Sequence, residues 1–168
     1  MAVCDDSTFY HAAMPALANA YYNGSNFLLL LLDNSATAMT GFQPHPGTGS
    51  RATGEEAPVI DLKAICEVFG ARVEVVDPFD VGRTVEAILR FLRDEKGVKV
   101  LVLKQECSLL SGKRQKRLFR IEVEEERCLG EACGCNRLCT RVFKCPGLIW
   151  DHASGKARID EAICNGCG

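Results

Sequence analysis

The first fifty residues contain no lysine, arginine or glutamate, although three aspartates, Asp5, Asp6 and Asp33, lie among them. A carboxylate in such apolar surroundings is costly to bury unless a cation neutralises it. Asp6-Ser7-Thr8 follows one apolar strand pattern and Asp33-Asn34-Ser35-Ala36 follows the next, so the pattern predicts that the cation is a metal ion. Two side-chain oxygens, a backbone carbonyl and phosphate oxygens would form a suitable Mg²⁺ site.

Long hydrophobic runs are also lacking. The longest, residues 27–32, is far too short to span a membrane. No basic segment precedes the first apolar residues, so the sequence predicts no signal peptide and we expect a cytoplasmic protein. The net charge is −2, which gives no reason to expect nucleic acid as a partner.

Strand and helix patterns alternate along the first 110 residues. The patterns predict strands at residues 2–4, 27–32, 72–76 and 98–103, and helices at residues 15–22, 61–69 and 81–93. This order predicts an α/β fold with a parallel, doubly wound sheet, in which ligands bind at the carboxyl ends of the strands. A long loop at residues 34–58, rich in glycine and proline, is predicted to be functional or disordered.

Several of these segments carry an expectation about burial. The strand at residues 2–4 and the helix that begins at Pro15 are almost wholly apolar, so we expect both to be buried, the helix on both sides. Met39 is expected to pack in the interior. The inward-facing side chains of the helix at residues 81–93 are expected to be Val85, Ile88, Leu89 and Leu92.

Three stretches resemble the 2-oxoacid:ferredoxin oxidoreductases, and within them the indolepyruvate-type alpha subunits. They are Asp6-Ser7-Thr8-Phe9-Tyr10-His11, Leu32-Asp33-Asn34 and Thr37-Ala38-Met39-Thr40-Gly41-Phe42-Gln43-Pro44. The resemblance covers essentially the whole chain and implies thiamine diphosphate and Mg²⁺ as cofactors. It implies that Asp6, Asn34 and the backbone carbonyl of Ala36 bind Mg²⁺.

The resemblance also implies that Ser7, Thr40 and Gly41 bind the cofactor and that His11 lies near it and serves in proton transfer. A buried, satisfied core histidine is the alternative for His11. One residue departs from the family pattern: Asp5 stands where the family has a glycine immediately before the aspartate. Glycine there would let the backbone approach the diphosphate, whereas a carboxylate would repel the phosphate unless it turns away.

Seven of the ten cysteines crowd into the last 41 residues: Cys128, Cys133, Cys135, Cys139, Cys145, Cys164 and Cys167. Without secretion signals, such crowding predicts metal or iron–sulfur ligation before disulfides. Cys145-Pro146 and Cys164-Asn165-Gly166-Cys167 resemble a bacterial-type ferredoxin domain with 4Fe–4S clusters, joined by a hairpin of residues 148–151 and 156–160.

The spacing before Cys139 departs from the ferredoxin pattern, so it remains open which of Cys128, Cys133, Cys135 and Cys139 are cluster ligands. A zinc site and disulfides are the alternatives. The other cysteines, Cys4, Cys66 and Cys107, are predicted to be ordinary buried residues.

A basic run at residues 113–117 marks the predicted domain boundary. Residues 1–112 are predicted to be the later part of a thiamine diphosphate-binding domain. Residues 113–168 are predicted to be an incomplete, small α+β ferredoxin-type domain with a strand at residues 118–123. The basic run is either a solvated linker or a docking surface for an acidic redox partner.

The resemblance implies an enzyme that oxidatively decarboxylates indolepyruvate and other arylpyruvates to aryl-acetyl-CoA. Electrons would pass through iron–sulfur clusters to ferredoxin, and the implied partners are a beta subunit, ferredoxin, the 2-oxoacid and coenzyme A. A strand that begins at residue 2 and a cysteine run that ends at Gly168 lead us to expect an inactive part of that enzyme. The alternatives are an iron–sulfur electron-transfer module without catalysis and a truncated, non-functional reading frame.

Overall fold

The computed structural model describes residues 1–94, 96–110, 119–134, 136–164 and 166. The chain divides into two compact units, Met1–Cys107 and Ser108–Gly168. The boundary predicted at residue 113, the basic run at residues 113–117, Cys135 and Cys167 all lie outside the described residues. Within the described ranges, the structure contains no helix with the length and apolar character needed to cross a membrane.

The first unit is built on a four-stranded sheet. Its strands are β1 (Ala2–Asp5), β2 (Phe27–Asp33), β3 (Arg72–Val76) and β4 (Val98–Lys104), in the spatial order β1-β2-β4-β3. Every pairing is parallel, which confirms the predicted parallel α/β sheet. The apolar run in β2 follows from its place between β1 and β4, because a central parallel strand is covered on both faces.

Helices cover both faces of this sheet. They are α1 (Asp6–Thr8), a π-helical turn (Phe9–Ala13), α2 (Met14–Tyr22), a 3-10 turn (Ala38–Thr40), α3 (Leu62–Val68) and α4 (Val81–Arg93). One core cluster packs Leu17 and Cys66 against Leu31 of β2, and the other packs Phe91 against Leu30. Because Leu30 and Leu31 point to opposite faces, the two clusters lie on opposite sides of the sheet.

The first helical segment begins earlier than predicted. Helical structure starts at Asp6 rather than at Pro15, and it runs through the π-helical turn into α2. The N–H of Met14 donates to the carbonyl of Phe9, five residues back. A proline has no N–H to donate and crowds the preceding turn, so a widened turn before Pro15 lets the helix continue through it.

Burial also departs from the predictions. β1 lies at the sheet edge with Ala2 and Val3 exposed, and Leu17 is the buried residue of α2. In α4 the buried residues are Ala87 and Phe91, whereas Val85, Leu89 and Leu92 are about half exposed and Ile88 packs at the margin of the core. Met39 is fully exposed. Apolar spacing identifies a helix face, but the sheet covers only the stripe of α4 that contains Ala87 and Phe91.

The second unit is small and loop-rich. It contains a 3-10 turn (Gly130–Cys133), the short helix α5 (Leu138–Arg141) and a hairpin of β5 (Leu148–Asp151) and β6 (Lys156–Ile159). The hairpin is antiparallel, as predicted, and Asp151 holds its turn by accepting hydrogen bonds from the Ala153 N–H and the Ser154 hydroxyl. The strand predicted at 118–123 is wrong: residues 119–123 form none, because the described part of the chain gives them no strand to pair with.

Candidate cofactor site

Asp6 is the centre of the candidate site. Its side chain is fully buried at the point where β1 ends and α1 begins. Oδ1 accepts the N–H of Ser7 at 2.7 Å, and Oδ2 accepts the N–H of Ser35 at 2.9 Å. Because β1 and β2 are parallel neighbours, their carboxyl ends meet at one edge, and the Ser35 hydrogen bond draws the turn after β2 onto Asp6.

The turn after β2 is held by its own side chains. Asn34 Oδ1 accepts the N–H of Ala36 at 3.0 Å, and Asp33 Oδ1 accepts the N–H of Ser35 at 3.2 Å. Asp and Asn form such turns readily, and here they hold Ser35 at a positive φ of 60°. The Thr37 hydroxyl donates to the Ser7 hydroxyl at 2.9 Å. Asp6, Ser7, Asn34 and Ala36 are therefore brought to one place.

The electrostatics of this place favour a cation. Burial raises the pKa of the Asp6 carboxyl above its ordinary value, and nearby Asp33 adds to that, while His45 and the hydrogen bonds from Ser7 and Ser35 offset it in part. A buried carboxylate with a raised pKa gains stability when a divalent ion binds it. The carboxylate of Asp6 and the amide oxygen of Asn34 are of the types that Mg²⁺ prefers, although each accepts a backbone N–H in this structure.

His45 lies against Asp6 from the long loop. Its side chain is 2% exposed, and Nε2 lies 3.2 Å from Asp6 Oδ2 without hydrogen-bond geometry, so this buried nitrogen lacks a hydrogen-bond partner within the described residues. The ring stacks on Tyr10 with centroids 5.3 Å apart. Burial raises the pKa of Tyr10 to about 12, and its hydroxyl donates to the carbonyl of Ile60 at 2.5 Å.

Sequence reasoning did not identify His45 or Tyr10 as site residues. The usable signal was Pro44-His45-Pro46-Gly47, directly after the family-like stretch. Prolines on both sides restrict the backbone of the histidine and therefore limit where its side chain can point. That signal indicates a fixed histidine, but not the residue that it contacts.

Asp5 is the N-cap of the first helix. Its carboxylate accepts the N–H of Thr8 at 2.8 Å, and hydrogen bonding from Thr8 lowers the pKa of the Asp5 carboxyl. The backbone of Asp5 has φ −87° and ψ 169°, an ordinary extended conformation. The dihedral angles at this position therefore do not require glycine. The Asp5 carboxylate does, however, take up one of the backbone N–H groups at the start of the helix, that of Thr8.

The remaining predicted site residues, Thr40, Gly41 and His11, are exposed. Gly41 has a positive φ of 118°, which a residue with a side chain would adopt only under strain. The Thr40 hydroxyl donates to Gln43 Oε1 at 2.6 Å, and Gln43 Nε2 donates back to the Thr40 carbonyl at 2.7 Å. His11 lies in the π-helical turn and is exposed, so the alternative of a buried core histidine is wrong.

A cavity of about 210 Å³ opens at the same edge of the sheet. Tyr10, Asp33, His45 and Lys104 are among the residues that line it. Lys104 Nζ lies 3.3 Å from Asp33 Oδ2. Pockets for cofactor-sized ligands usually measure about 300–1,000 Å³. This cavity is therefore too small to enclose a whole thiamine cofactor.

The described cysteines of the second unit do not gather into a metal site. Among the described residues, no three His, Cys, Asp or Glu side chains form a group that could hold a metal, and no disulfide is formed. Cys128, Cys133, Cys139, Cys145 and Cys164 are the described cysteines of this unit, so ligation of iron stays a prediction. In the first unit, burial raises the pKa of Cys4 to about 11 and that of Cys66 to about 12, which keeps both thiols neutral.

Comparison with known proteins follows the same division of the chain. Residues 1–103 match the family described as thiamine pyrophosphate enzyme, C-terminal TPP binding domain. The match covers the sheet with its helices and the Asp6 and Asn34 turns. The chain belongs to this family of thiamine pyrophosphate enzyme domains.

More particularly, the chain is similar to indolepyruvate oxidoreductase subunit IorA. It is 42% identical to that subunit from Thermococcus kodakarensis and 41% identical to that from Pyrococcus horikoshii, over 100% of this chain. Identity to the subunit from Archaeoglobus fulgidus is 40% over 99% of this chain. In each case the match covers 26% of the relative, so the chain spans about a quarter of the length of the curated relatives it matches.

Proposed function

We propose that this chain supplies the diphosphate- and Mg²⁺-binding part of a thiamine diphosphate-dependent oxidoreductase subunit that acts on indolepyruvate and other arylpyruvates. The observation that carries the proposal is the fully buried Asp6, whose Oδ2 accepts the Ser35 N–H from the turn that contains Asn34. The names of the relatives support the choice of substrate class.

In the proposed site, Asp6, Asn34 and the backbone carbonyl of Ala36 bind Mg²⁺. Ser7, Thr40 and Gly41 contact the diphosphate, and His11, which is exposed at this end of the helix, transfers a proton. When it is bound, thiamine diphosphate supplies a nucleophilic carbon and an electron sink for the decarboxylation of a 2-oxoacid. The residues of this chain orient the cofactor and offset its charge.

We extend the proposal to the second unit, as a 4Fe–4S ferredoxin-type domain that spans about residues 113–168. Its cysteines would pass electrons through iron–sulfur clusters to ferredoxin, while coenzyme A receives the aryl-acetyl group. A beta subunit would complete the enzyme, which we place in the cytoplasm. Support comes from the crowding of seven cysteines into 41 residues and from the small apolar interior of this unit.

Calorimetric titration of thiamine diphosphate into the anaerobic protein, with and without Mg²⁺, tests the first part. We expect binding that requires Mg²⁺ and is lost in Asp6→Ala. Asp77→Ala is a matched control, because Asp77 follows β3 of the same sheet and is exposed. Equal binding by the two variants would contradict the proposed role of Asp6.

A second candidate function is an iron–sulfur electron-transfer module that binds no thiamine diphosphate. The capping of the Thr8 N–H by Asp5 favours it, because a carboxylate already occupies that amide. Iron analysis and electron paramagnetic resonance of the reduced protein, alongside the titration, distinguish the two candidates. Cluster signals without cofactor binding would select the module.

A further inference from the structure

His45 places an unsatisfied nitrogen beside Asp6, the most buried carboxylate among the described residues. Buried polar side-chain atoms nearly always have a hydrogen-bond partner, and the exceptions call for an explanation. Among the described residues, His45 Nε2 is the buried side-chain nitrogen or oxygen without one. The nearest acceptor in an ion-pair contact is Asp6 Oδ2, 3.2 Å away.

The protonation of the imidazole follows from its other nitrogen. Nδ1 accepts the backbone N–H of Gly47 at 3.1 Å, so Nδ1 carries no proton. A neutral imidazole has one proton, which must then be on Nε2. The ring therefore offers a single N–H, on the nitrogen that lies 3.2 Å from Asp6 Oδ2 without hydrogen-bond geometry.

The loop holds the ring in this place through close packing. Tyr10 stacks on one side of the imidazole, and its hydroxyl is tied to the Ile60 carbonyl. A Cβ added to Gly47 would lie 2.7 Å from the Tyr10 hydroxyl oxygen and 3.1 Å from His45 Cε1. Because Gly47 has no Cβ, its backbone can lie close to both rings. Its N–H then reaches His45 Nδ1, and the two rings can stack beside it.

We infer that His45 is a positioning residue for Asp6, which uses its Nε2 proton to orient the carboxylate toward the turn that contains Asn34 and Ala36. The inference rests on the proposed function, because Asp6 is there the Mg²⁺ ligand. Groups that hydrogen-bond to metal ligands commonly change metal affinity by about 10–100-fold when they are removed.

The test compares two amides at position 45. In His45→Gln the amide nitrogen can reach about as far as Nε2, whereas in His45→Asn it stops near the position of Nδ1. The probe is thiamine diphosphate titrated with Mg²⁺ into the full chain, followed by calorimetry. His152→Ala is the control, since His152 is an exposed histidine of the β5–β6 hairpin.

We expect His45→Asn to weaken binding by about tenfold or more, and His45→Gln and His152→Ala to keep most of the affinity. Wild-type affinity in His45→Asn would overturn the inference and leave the proposed function intact. Equal losses in the Asn and Gln variants would also overturn it, because the loss would then not depend on the reach of the donor.

Two measurements need no cofactor. Nitrogen-15 NMR of the wild-type imidazole should show the proton on Nε2, and a proton on Nδ1 would overturn the inference. In a double-mutant cycle of Asp6→Ala and His45→Asn, the shifts in melting temperature should be non-additive. If the wild type binds no thiamine diphosphate, the proposed function fails, and these two measurements decide whether His45 positions Asp6: a proton on Nδ1 or additive shifts would overturn it.

Discussion

The first unit buries large side chains on both faces of a four-stranded sheet, whereas among the described residues of the second unit the buried hydrophobic residue is Ala157. Phe143 and Val142 of the second unit are mostly exposed. A unit of fewer than about 70–80 residues rarely gains more than about 3–5 kcal/mol from a single core and usually needs a cross-link or a metal. The comparison indicates that apolar burial stabilises the first unit, whereas the described residues of the second unit bury little apolar surface.

The largest expected effect follows from the iron–sulfur clusters proposed for the second unit and is its unfolding when their iron is removed. Chelation should unfold this unit because its described core is too small to hold it, while the first unit stays folded. Trp150, the single tryptophan of the chain, lies in β5 and reports on the second unit alone. Its fluorescence should change on chelation, whereas hydrogen exchange in β2 and β4 should stay slow. Unchanged Trp150 fluorescence after chelation would contradict the difference in stabilisation between the two units.

The next effect concerns the core of the first unit. Phe91 of α4 is 2% exposed and lies in the core cluster with Leu30 of β2, so Phe91→Ala should lower the free energy of unfolding of this unit by about 3–5 kcal/mol. Leu92 is the next residue of α4 and is 50% exposed, so Leu92→Ala is the matched control with a much smaller expected loss. Urea unfolding followed by circular dichroism measures both. Similar losses in the two variants would show that Leu92 is also buried in solution, and that the exposed face of α4 is therefore covered there.

A third change acts on the ligand site without touching the core. Asp5→Gly removes a carboxylate beside the proposed diphosphate site and should strengthen thiamine diphosphate binding by about fivefold, from a repulsion of about 1 kcal/mol. Glycine is a tolerated helix cap, so the stability should fall by only a few tenths of a kcal/mol. Calorimetry and thermal melting measure the two quantities. Unchanged affinity would mean that Asp5 lies outside the electrostatic reach of the diphosphate.

The smallest expected effect is on the pH dependence of the stability of the first unit. Hydrogen bonding from Thr8 lowers the folded-state pKa of Asp5, so its cap contributes stability above the unfolded-state pKa. That contribution is lost as the pH falls through the lowered pKa. Asp5→Asn keeps a capping side chain that does not titrate, so thermal melting of this variant should depend less on pH between neutral and acid conditions. If the melting temperatures of Asp5→Asn and of the wild type depended on pH in the same way, Asp5 would not contribute to the pH dependence of stability.

The sequence was informative where the pattern was local. The order of strands and helices in the first unit and the helix predicted at residues 61–69 follow from apolar spacing, and the structure contains them; the hairpin implied by the resemblance is present as β5–β6. Asp61, predicted as the first residue of this helix, is its N-cap, and its Oδ1 accepts the N–H of Ala64. Neighbouring parallel strands also end at one edge, which is why the turns at Asp6 and Asn34 meet.

Burial and long-range side-chain contacts depended on the tertiary structure. The spacing of Val85, Leu89 and Leu92 indicated an apolar face of α4, but only the packing of the chain decided that Ala87 and Phe91 meet the sheet instead. In the same way, the approach of His45 to Asp6 joins residues 39 positions apart. Local sequence specifies the conformation of a segment, whereas the partner of a side chain depends on the path that the rest of the chain takes around it.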